Sequence, residues 1–233
     1  MAEEVLRSDL EISDVFFTQA YAGSERGRLL LPELQKYSPA EVSQNIFDYL
    51  SDTKNSQGII ILCEKPKPNK TYIEKNLSSV KHLPLVILLH RINNPANLGA
   101  ILRTCEAVNV AGVITTENSA DAFSPKALRG AMGASLRIPI WTEADFFQAL
   151  DWAKEKNLIS VCADINAKKS YLQIEWIKPH LLIFGSEAHG LNADERGRID
   201  ESLLIPMDND VESLNLAVAC GVILFEAKRQ ITG

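Results

Sequence analysis

The chain has 233 residues, with 24 Lys and Arg against 30 Asp and Glu, which gives a formal net charge of −6. This length allows one or two domains, and the hydrophobic fraction of 46% and the charged fraction of 23% exclude disordered and collagen-like classes. Taken alone, the acidic balance argues against a nucleic-acid partner, because nucleic-acid-binding domains are usually basic.

The N-terminal residues and the cysteines indicate a reducing compartment. Residues 1–13 are acidic and lack the apolar run of a secretory signal. The longest apolar stretch, 216–225, is far shorter than the roughly 20 residues that cross a bilayer. The four cysteines are far apart, none forms the CxxC pair of a zinc site, and the four histidines have no paired ligand spacing. We therefore expect a cytoplasmic protein without a metal.

Residues 1–64 are predicted to form a small domain of helices and strands, with strands at 15–17 and 58–63. The segment Ser38-Pro39-Ala40-Glu41 has the pattern of a capping box with proline at the first helical position, so a helix is predicted to begin there. Two strands can bury little between them, and the domain is therefore expected to be small.

Composition and charge change at KPKPNK (65–70), where two prolines within a lysine run are typical of a linker. We predict a linker over residues 65–82. Residues 65–137 carry 10 Lys and Arg against 4 Asp and Glu, a net charge of +6, whereas the rest of the chain carries −12. The positive charge is thus concentrated in one stretch.

Short apolar runs alternate with amphipathic helices over residues 83–233. Continuous apolar runs are typical of strands that are buried on both faces of a parallel sheet. The predicted strands lie at 83–89, 111–115, 136–140, 158–163, 180–184 and 202–206, and the predicted helices lie near 98–108, 143–156 and 213–229. This alternation predicts an α/β domain with a parallel sheet.

Three segments that follow predicted strands are unusually polar. They are RINNPANLGAILRT (91–104), FGSEAHGL (184–191) and IPMDNDVESLNLAVACGVILFEAKRQ (205–230). Loops at the carboxyl ends of parallel strands are where α/β sheets bind ligands. No phosphate loop, dinucleotide-binding glycine motif or nucleophile elbow is complete in them. The residues alone therefore predict a polar site built from three loops, without a reaction.

Each segment also has a simpler interpretation. Asn97 can cap the first helix, whose buried stripe leaves Arg103 to one side. The second segment can be interpreted as a glycine-rich turn. The helix from Ser213 is apolar almost all round and is expected to be buried, with its polar first residues as caps.

Taken together and in this order, the three segments resemble the signature motifs of the SpoU/TrmH family of RNA ribose 2′-O-methyltransferases. This family belongs to the SPOUT superfamily and uses S-adenosylmethionine. The intervening segment SPKALRGAMGASLRIPI (124–140) is also similar, so the resemblance covers about residues 84–230. Any one motif is weakly specific, whereas three in proper order and spacing are highly specific.

The resemblance implies an α/β SPOUT-type parallel sheet with a C-terminal trefoil knot, together with homodimers and an rRNA or tRNA substrate. It also implies that residues 1–64 are a small α/β RNA-binding domain that lacks its first strand. The residues that match the family's cofactor site are Gly185, Ile205 and Leu214. Those that match its catalytic and substrate-positioning residues are Asn97, Arg103, Glu187, Ser213 and Asn215.

The resemblance assigns the role of general base to Arg103, which is chemically awkward because arginine stays protonated in proteins. We expect Arg103 to be essential and leave its role open. Two alternatives are a catalytically silent RNA-binding protein of the same fold and a SPOUT enzyme that methylates a base. The intact polar residues of the first and third motifs argue against the silent protein, and the SLN sequence of the third argues against base methylation.

Overall fold

The structure, a computed structural model, describes residues 1–51, 56–67, 70–79, 81, 83–209 and 211–233. The chain divides into two compact units, residues 1–67 and 68–233. The elements of the first unit are α1 (Ala2–Leu6), β1 (Ile12–Phe17), α2 (Gln19–Gly23), α3 (Glu25–Leu34), β2 (Ala40–Glu41), α4 (Gln44–Leu50) and β3 (Ile59–Cys63). Those of the second are α5 (Lys70–Leu77), β4 (Leu83–Leu89), α6 (Pro95–Val108), β5 (Val110–Thr116), α7 (Pro125–Ala131), β6 (Ile140–Ala144), α8 (Phe146–Glu155), β7 (Ile159–Ala163), β8 (Lys169–Ser170), β9 (His180–Phe184), α9 (Ala193–Arg196), β10 (Glu201–Leu204) and α10 (Leu216–Thr232).

The first unit is built on a three-stranded sheet in the order β2-β1-β3. Strand β1 runs parallel to β2 and antiparallel to β3, with Val15 opposite Ile61. Apolar side chains of β1, α2 and α3 form the core of this unit, in which Leu34 is fully buried. Both strands predicted from the sequence are present, and β2 joins them as a third.

The helix that is predicted to begin at Ser38 begins instead at Gln44, so this prediction is wrong. Ser38 has a left-handed backbone with a φ of 51°, and the two residues of β2 pair with β1. The cap of α4 is Ser43, whose Oγ accepts a hydrogen bond from the first turn. The backbone of residues 40–41 is paired with β1, so it is not in the helical conformation that a start at Ser38 requires.

The predicted linker, residues 65–82, contains the helix α5. Ile73 of this helix is fully buried on the sheet of the second unit. The Oε1 atom of Glu74 accepts a hydrogen bond from Nε1 of Trp152 on α8 at 2.9 Å. The prolines that indicate a linker come before this helix, and one of them, Pro68, lies outside the described residues. The linker prediction is therefore wrong over α5, because Ile73 and Leu77, the two side chains that pack on this core, form too short a periodic pattern to predict a helix.

The sheet of the second unit has seven described strands in the order β6-β5-β4-β9-β7-β10-β8, paired in parallel. Along β4, Leu85 and Ile87 join the cluster that includes α6 and α10. Val86 and Leu88 join the cluster that includes α5 and α8. Both faces of the sheet are thus covered, which is why its central strands read as unbroken apolar runs. The α/β prediction is confirmed.

Five of the six predicted strands are present: two have the predicted bounds, and the ends of the other three are shifted by at most two residues. The run 136–140 is the exception, because residues 134–136 form a 3₁₀ turn and β6 begins only at Ile140. Pro139 interrupts this run, and proline has no N–H to donate to a ladder. Its carbonyl accepts a hydrogen bond from the N–H of Val113 at 3.0 Å and so leads the chain into the strand.

Helix α10 begins at Leu216 with Asn215 as its cap, and not at Ser213 as predicted. One face packs against α6. On the opposite face, Val218 and Phe225 are each 53% exposed, so the expectation of a fully buried helix is wrong for the single chain. None of the helices that the structure describes is both long and apolar enough to span a membrane.

Candidate active site

A cavity of about 980 Å³ opens at the carboxyl ends of β4, β7, β9 and β10. Parallel sheets bind ligands at this edge, and the volume is typical of small-molecule sites. Its lining residues are Asn93, Asn94, Pro95, Asn97, Lys126, Ala163, Asp164, Ile165, Phe184, Gly185, Ser186, Glu187, Ala188, His189, Leu203, Leu204, Ile205, Met207, Ser213, Leu214, Asn215, Leu216 and Ala219. The wall therefore combines apolar strand ends with polar loops.

Seven of the eight residues that the resemblance assigns to the site line this one cavity. They are Asn97, Gly185, Glu187, Ile205, Ser213, Leu214 and Asn215. The three motifs, which lie up to 118 positions apart in the chain between Asn97 and Asn215, thus meet at the sheet edge.

A chain of hydrogen bonds joins the three motifs. Nδ2 of Asn215 donates to Oδ1 of Asn97 at 3.1 Å, and Nδ2 of Asn97 donates to Oε1 of Glu187 at 3.2 Å. Oδ1 of Asn215 accepts from the N–H of Ala217 at 2.9 Å, so capping of α10 fixes which end of this amide faces Asn97. The expectation that Asn97 caps its own helix is therefore wrong. That cap is Asn94.

The loop after β9 is a tight turn that requires glycine at its first position. A Cβ atom on Gly185 would lie 2.6 Å from the carbonyl carbon of Gly190, closer than such atoms approach. Gly190 has a φ of +61°, and its N–H donates to the carbonyl of Ser186 at 2.8 Å. The turn places Gly185 in the cavity wall and leaves Glu187 exposed at the rim.

Ser213 and Leu214 precede the cap of α10 and are exposed at the cavity, where Leu214 is 37% exposed. Within the described part of the chain, the Ser213 hydroxyl has no hydrogen-bond partner. It is free to bond to a ligand.

Arg103 is the predicted site residue that the structure does not bring to the cavity. Its side chain is exposed and has no hydrogen bond or ion pair among the described residues. It lies six residues after Asn97 on α6, which corresponds to roughly 9 Å along the axis and about 120° around it. Arg103 and Asn97 therefore leave the helix on different sides.

Lys126 and Asp164 also line the cavity, although neither is predicted from the sequence as a site residue. Partial burial raises the pKa of Asp164, but hydrogen bonds from the Asn166 N–H and from Arg196 outweigh it and bring this pKa below its ordinary value. Asp164 is thus an anion at neutral pH. The only sequence signal for Lys126 is its place in the family-like segment 124–140.

Close backbone packing positions Lys126. A Cβ atom on Gly99 of α6 would lie 2.4 Å from the carbonyl oxygen of Ala127 on α7, so the two helices touch through their backbones. Lys126, the preceding residue, is exposed at the rim of the cavity, which the turn at residues 93–95 also lines. Among the described residues there is no group of three or more side chains of the kinds that ligate metals.

The sequence model of the SpoU rRNA methylase family matches residues 84–225, more than half of the chain. A 23S rRNA (guanosine-2′-O-)-methyltransferase RlmB from Vibrio cholerae is 31% identical over 223 residues, which cover 92% of this chain and 89% of the relative. An uncharacterized tRNA/rRNA methyltransferase from Synechocystis is 32% identical over 203 residues, covering 87% and 70%.

Two solved structures have the same architecture. The SpoU methyltransferase AviRb from Streptomyces viridochromogenes, solved in complex with AdoMet, has a TM-score of 0.85 at 24% identity, covering 100% of this chain and 90% of that one. An RNA 2′-O ribose methyltransferase has a TM-score of 0.75 at 26% identity, covering 98% and 84%. The SPOUT-type fold is confirmed, and the trefoil knot stays a prediction. With the family's three motifs meeting at one cavity of this fold, and with a family match over most of the second unit, the chain belongs to the SpoU rRNA methylase family.

Proposed function

We propose that this chain is an S-adenosylmethionine-dependent methyltransferase that modifies a ribose 2′-hydroxyl of rRNA or tRNA. The observation that carries the proposal is the hydrogen-bonded series Asn215–Asn97–Glu187 on the wall of a cavity that takes a nucleoside-sized cofactor. Relatives named RlmB align over nearly the whole chain, which makes 23S rRNA the first substrate to test.

The cavity fits the cofactor on two grounds. Gly185 lies in the cavity wall and has no side chain, so a ligand can approach its main chain closely. Ile205 and Leu214 offer apolar contacts beside the polar loops. When bound, S-adenosylmethionine supplies an electrophilic methyl group on sulfur.

The residues of the rim position the ribose. Methyl transfer requires the 2′-oxygen to be aligned with the methyl group and its proton to be removed. The two asparagines hold the Glu187 carboxylate in place, and the free Ser213 hydroxyl can bond to the substrate. Arg103 lies outside the cavity lining, so its part in the proposal is supported by the family resemblance alone. Because a guanidinium is a poor base, the role we assign to it is stabilisation of negative charge that develops on the ribose or an adjacent phosphate when RNA is bound.

Phosphate contacts come from the basic stretch rather than from the first unit. Residues 1–64 carry 5 Lys and Arg against 11 Asp and Glu, a net charge of −6. If this unit binds RNA, as the resemblance implies, it does so through exposed side chains such as Tyr49, which is 90% exposed, because its net charge repels phosphate. Lys126 is the basic residue at the cavity itself.

Lys126→Ala is expected to raise the KM for RNA and to lower the slope of log KM against log salt by about one, because one phosphate contact is lost. The Kd for S-adenosylmethionine should not change. Steady-state kinetics at several salt concentrations measure this slope. Lys154→Ala, at the far end of α8, is the matched control. An unchanged slope in Lys126→Ala contradicts the assignment.

We further propose a cytoplasmic homodimer that covers the exposed face of α10. Val218 and Phe225 are seven positions apart on that face, and no described residue covers it. Phe225→Glu is expected to give a monomer in sedimentation equilibrium, because a buried carboxylate opposes association. Ile177→Glu, at another exposed apolar residue, should leave the dimer intact. A monomeric wild-type protein would contradict the proposal.

The function is tested by incubating the purified protein with methyl-labelled S-adenosylmethionine and unmodified 23S rRNA or total tRNA. Incorporation of label into one nucleotide is expected. A protein that binds both RNA and cofactor without transferring label would be the catalytically silent alternative.

A further inference from the structure

Glu195 is a buried carboxylate outside the cavity lining, and the mechanism above does not use it. Glu195 is only 3% exposed. Carboxylates are almost never buried unless they are paired, because removal from water is costly. In this chain the partners come from both loops that form the polar rim.

On one side, Oε1 of Glu195 lies 3.1 Å from Nε2 of His90 and 3.4 Å from NH1 of Arg91. His90 is 2% exposed at the end of β4, and its ring packs on Phe146 at a centroid distance of 4.4 Å. Burial lowers the pKa of His90, so the ring is neutral near pH 7 and its Nε2–H donates to the carboxylate. Its Nδ1 then accepts from Oγ1 of Thr116 at 3.1 Å.

Arg91 has a left-handed backbone with a φ of 54°, a conformation that is strained for a residue with a side chain. Two contacts hold it there: its N–H donates to Oγ1 of Thr116 at 3.1 Å, and its guanidinium pairs with Glu195. The next residues form the turn that leads to Asn93 and Asn97. The Glu195 carboxylate therefore fixes the start of the turn at residues 91–95.

On the other side, Oε2 of Glu195 accepts from the N–H of Asn192 at 2.8 Å, and Oδ1 of Asn192 accepts from the N–H of Glu195 at 2.9 Å. Asn192 follows directly on the loop that carries Gly185 and Glu187. The same carboxylate thus fixes the end of the loop at residues 184–191.

We propose that Glu195, acting through His90, Arg91 and Asn192, is a positioning residue that sets the two loops so that Asn97 and Glu187 meet. The contacts that depend on this setting are Asn97 Nδ2 to Glu187 Oε1 at 3.2 Å and the Asn93 N–H to Glu187 Oε2 at 3.4 Å. Glu195 itself lies outside the cavity lining. The inference rests on the proposed function, since it names what holds that site in its reactive geometry.

Glu195→Gln tests the proposal, because the amide has nearly the shape of the carboxylate but cannot accept from both partners or neutralise Arg91. We expect kcat at saturating RNA and cofactor to fall about 10- to 100-fold, as misplacement of reacting groups by an ångström can cause. The KM for RNA should stay within about twofold because the phosphate contacts lie elsewhere. His90→Phe should give a similar loss, and the double variant should lose no more than either single one, because both act through one contact.

Asp200→Asn is the matched control. Asp200 Oδ2 accepts from the N–H and the Oγ of Ser160 near the amino end of β7, at the opposite edge of the sheet, and kcat should be unchanged. Amide hydrogen exchange gives a readout that needs no activity: Glu195→Gln should speed exchange over 185–192 and 91–94 while the central strands stay protected.

Wild-type kcat and exchange in Glu195→Gln would overturn the inference, and so would an equal loss of kcat in Asp200→Asn. Failure of the proposed function is a different result. In that case the wild-type protein neither transfers methyl groups nor binds S-adenosylmethionine, whereas failure of this inference leaves an active wild type beside an equally active variant.

Discussion

Replacing Arg103 with alanine is expected to reduce methyl transfer at least about 100-fold, the loss typical of removing one group that stabilises charge in a transition state. The affinity for S-adenosylmethionine should stay within about twofold, because Arg103 lies outside the cavity lining and is exposed on α6. Single-turnover kinetics, together with calorimetric titration of the cofactor, separate these two effects.

Arg198→Ala is the matched control for this variant, since Arg198 is also an exposed arginine and its ion pair with Asp151, at 2.8 Å, is remote from the cavity. It should turn over normally. Normal turnover in Arg103→Ala would contradict the catalytic role. Loss of cofactor binding in Arg103→Ala would contradict the claim that the cavity binds the cofactor without a contribution from the Arg103 guanidinium.

Gly185→Ala is expected to weaken cofactor binding about tenfold or more while leaving the fold intact. The added methyl group would sit 2.6 Å from the Gly190 carbonyl carbon, and that atom is backbone, which cannot rotate away. Overpacking of this kind typically costs about 1–3 kcal/mol of folding free energy, and the turn must shift to relieve it. The shift displaces the cavity wall, and a resulting loss of about 1.4 kcal/mol in binding free energy would be tenfold in affinity. Calorimetric titration with S-adenosylmethionine measures the change directly.

Gly23→Ala is the control for that variant, because a Cβ atom there would have nothing within 4 Å. It should leave both binding and stability nearly unchanged. Wild-type affinity in Gly185→Ala would show that the cofactor does not depend on this turn.

The sequence predicts the sheet better than it predicts the first unit. The runs at β4, β5 and β9 are unbroken because both faces of the sheet are covered, and this pattern is directly visible in the sequence. The pattern at Ser38 is a local signal that loses to pairing with β1, a contact made with a distant part of the chain. The helix α5 is missed because only two apolar residues, Ile73 and Leu77, mark its buried side.

The residues alone predict a polar site built from three loops, but the reaction and the roles of individual side chains could be predicted only through the family resemblance. Spacing within one motif cannot show that Asn97 contacts both Asn215 and Glu187, because the fold alone brings them together. Helical geometry could have shown that Arg103 leaves α6 on another side than Asn97. Nothing local marks Glu195 as buried, since its partner His90 is 105 positions away.

The net charge of −6 is a poor guide to the partner, because the charge is unevenly distributed. The net +6 of residues 65–137 includes Lys126 at the cavity, whereas the first unit is acidic. An acidic chain is therefore compatible with an RNA substrate whose phosphates meet one basic stretch.

The most direct test of the central claim is alkaline hydrolysis of the RNA after methylation by the purified protein, read nucleotide by nucleotide. Alkaline cleavage requires a free 2′-oxygen to attack the adjacent phosphate, so a methylated ribose blocks it. We predict a single gap in the cleavage ladder that appears only with S-adenosylmethionine and is lost in Arg103→Ala. A methylated nucleotide that still cleaves would place the methyl group on the base and contradict the account.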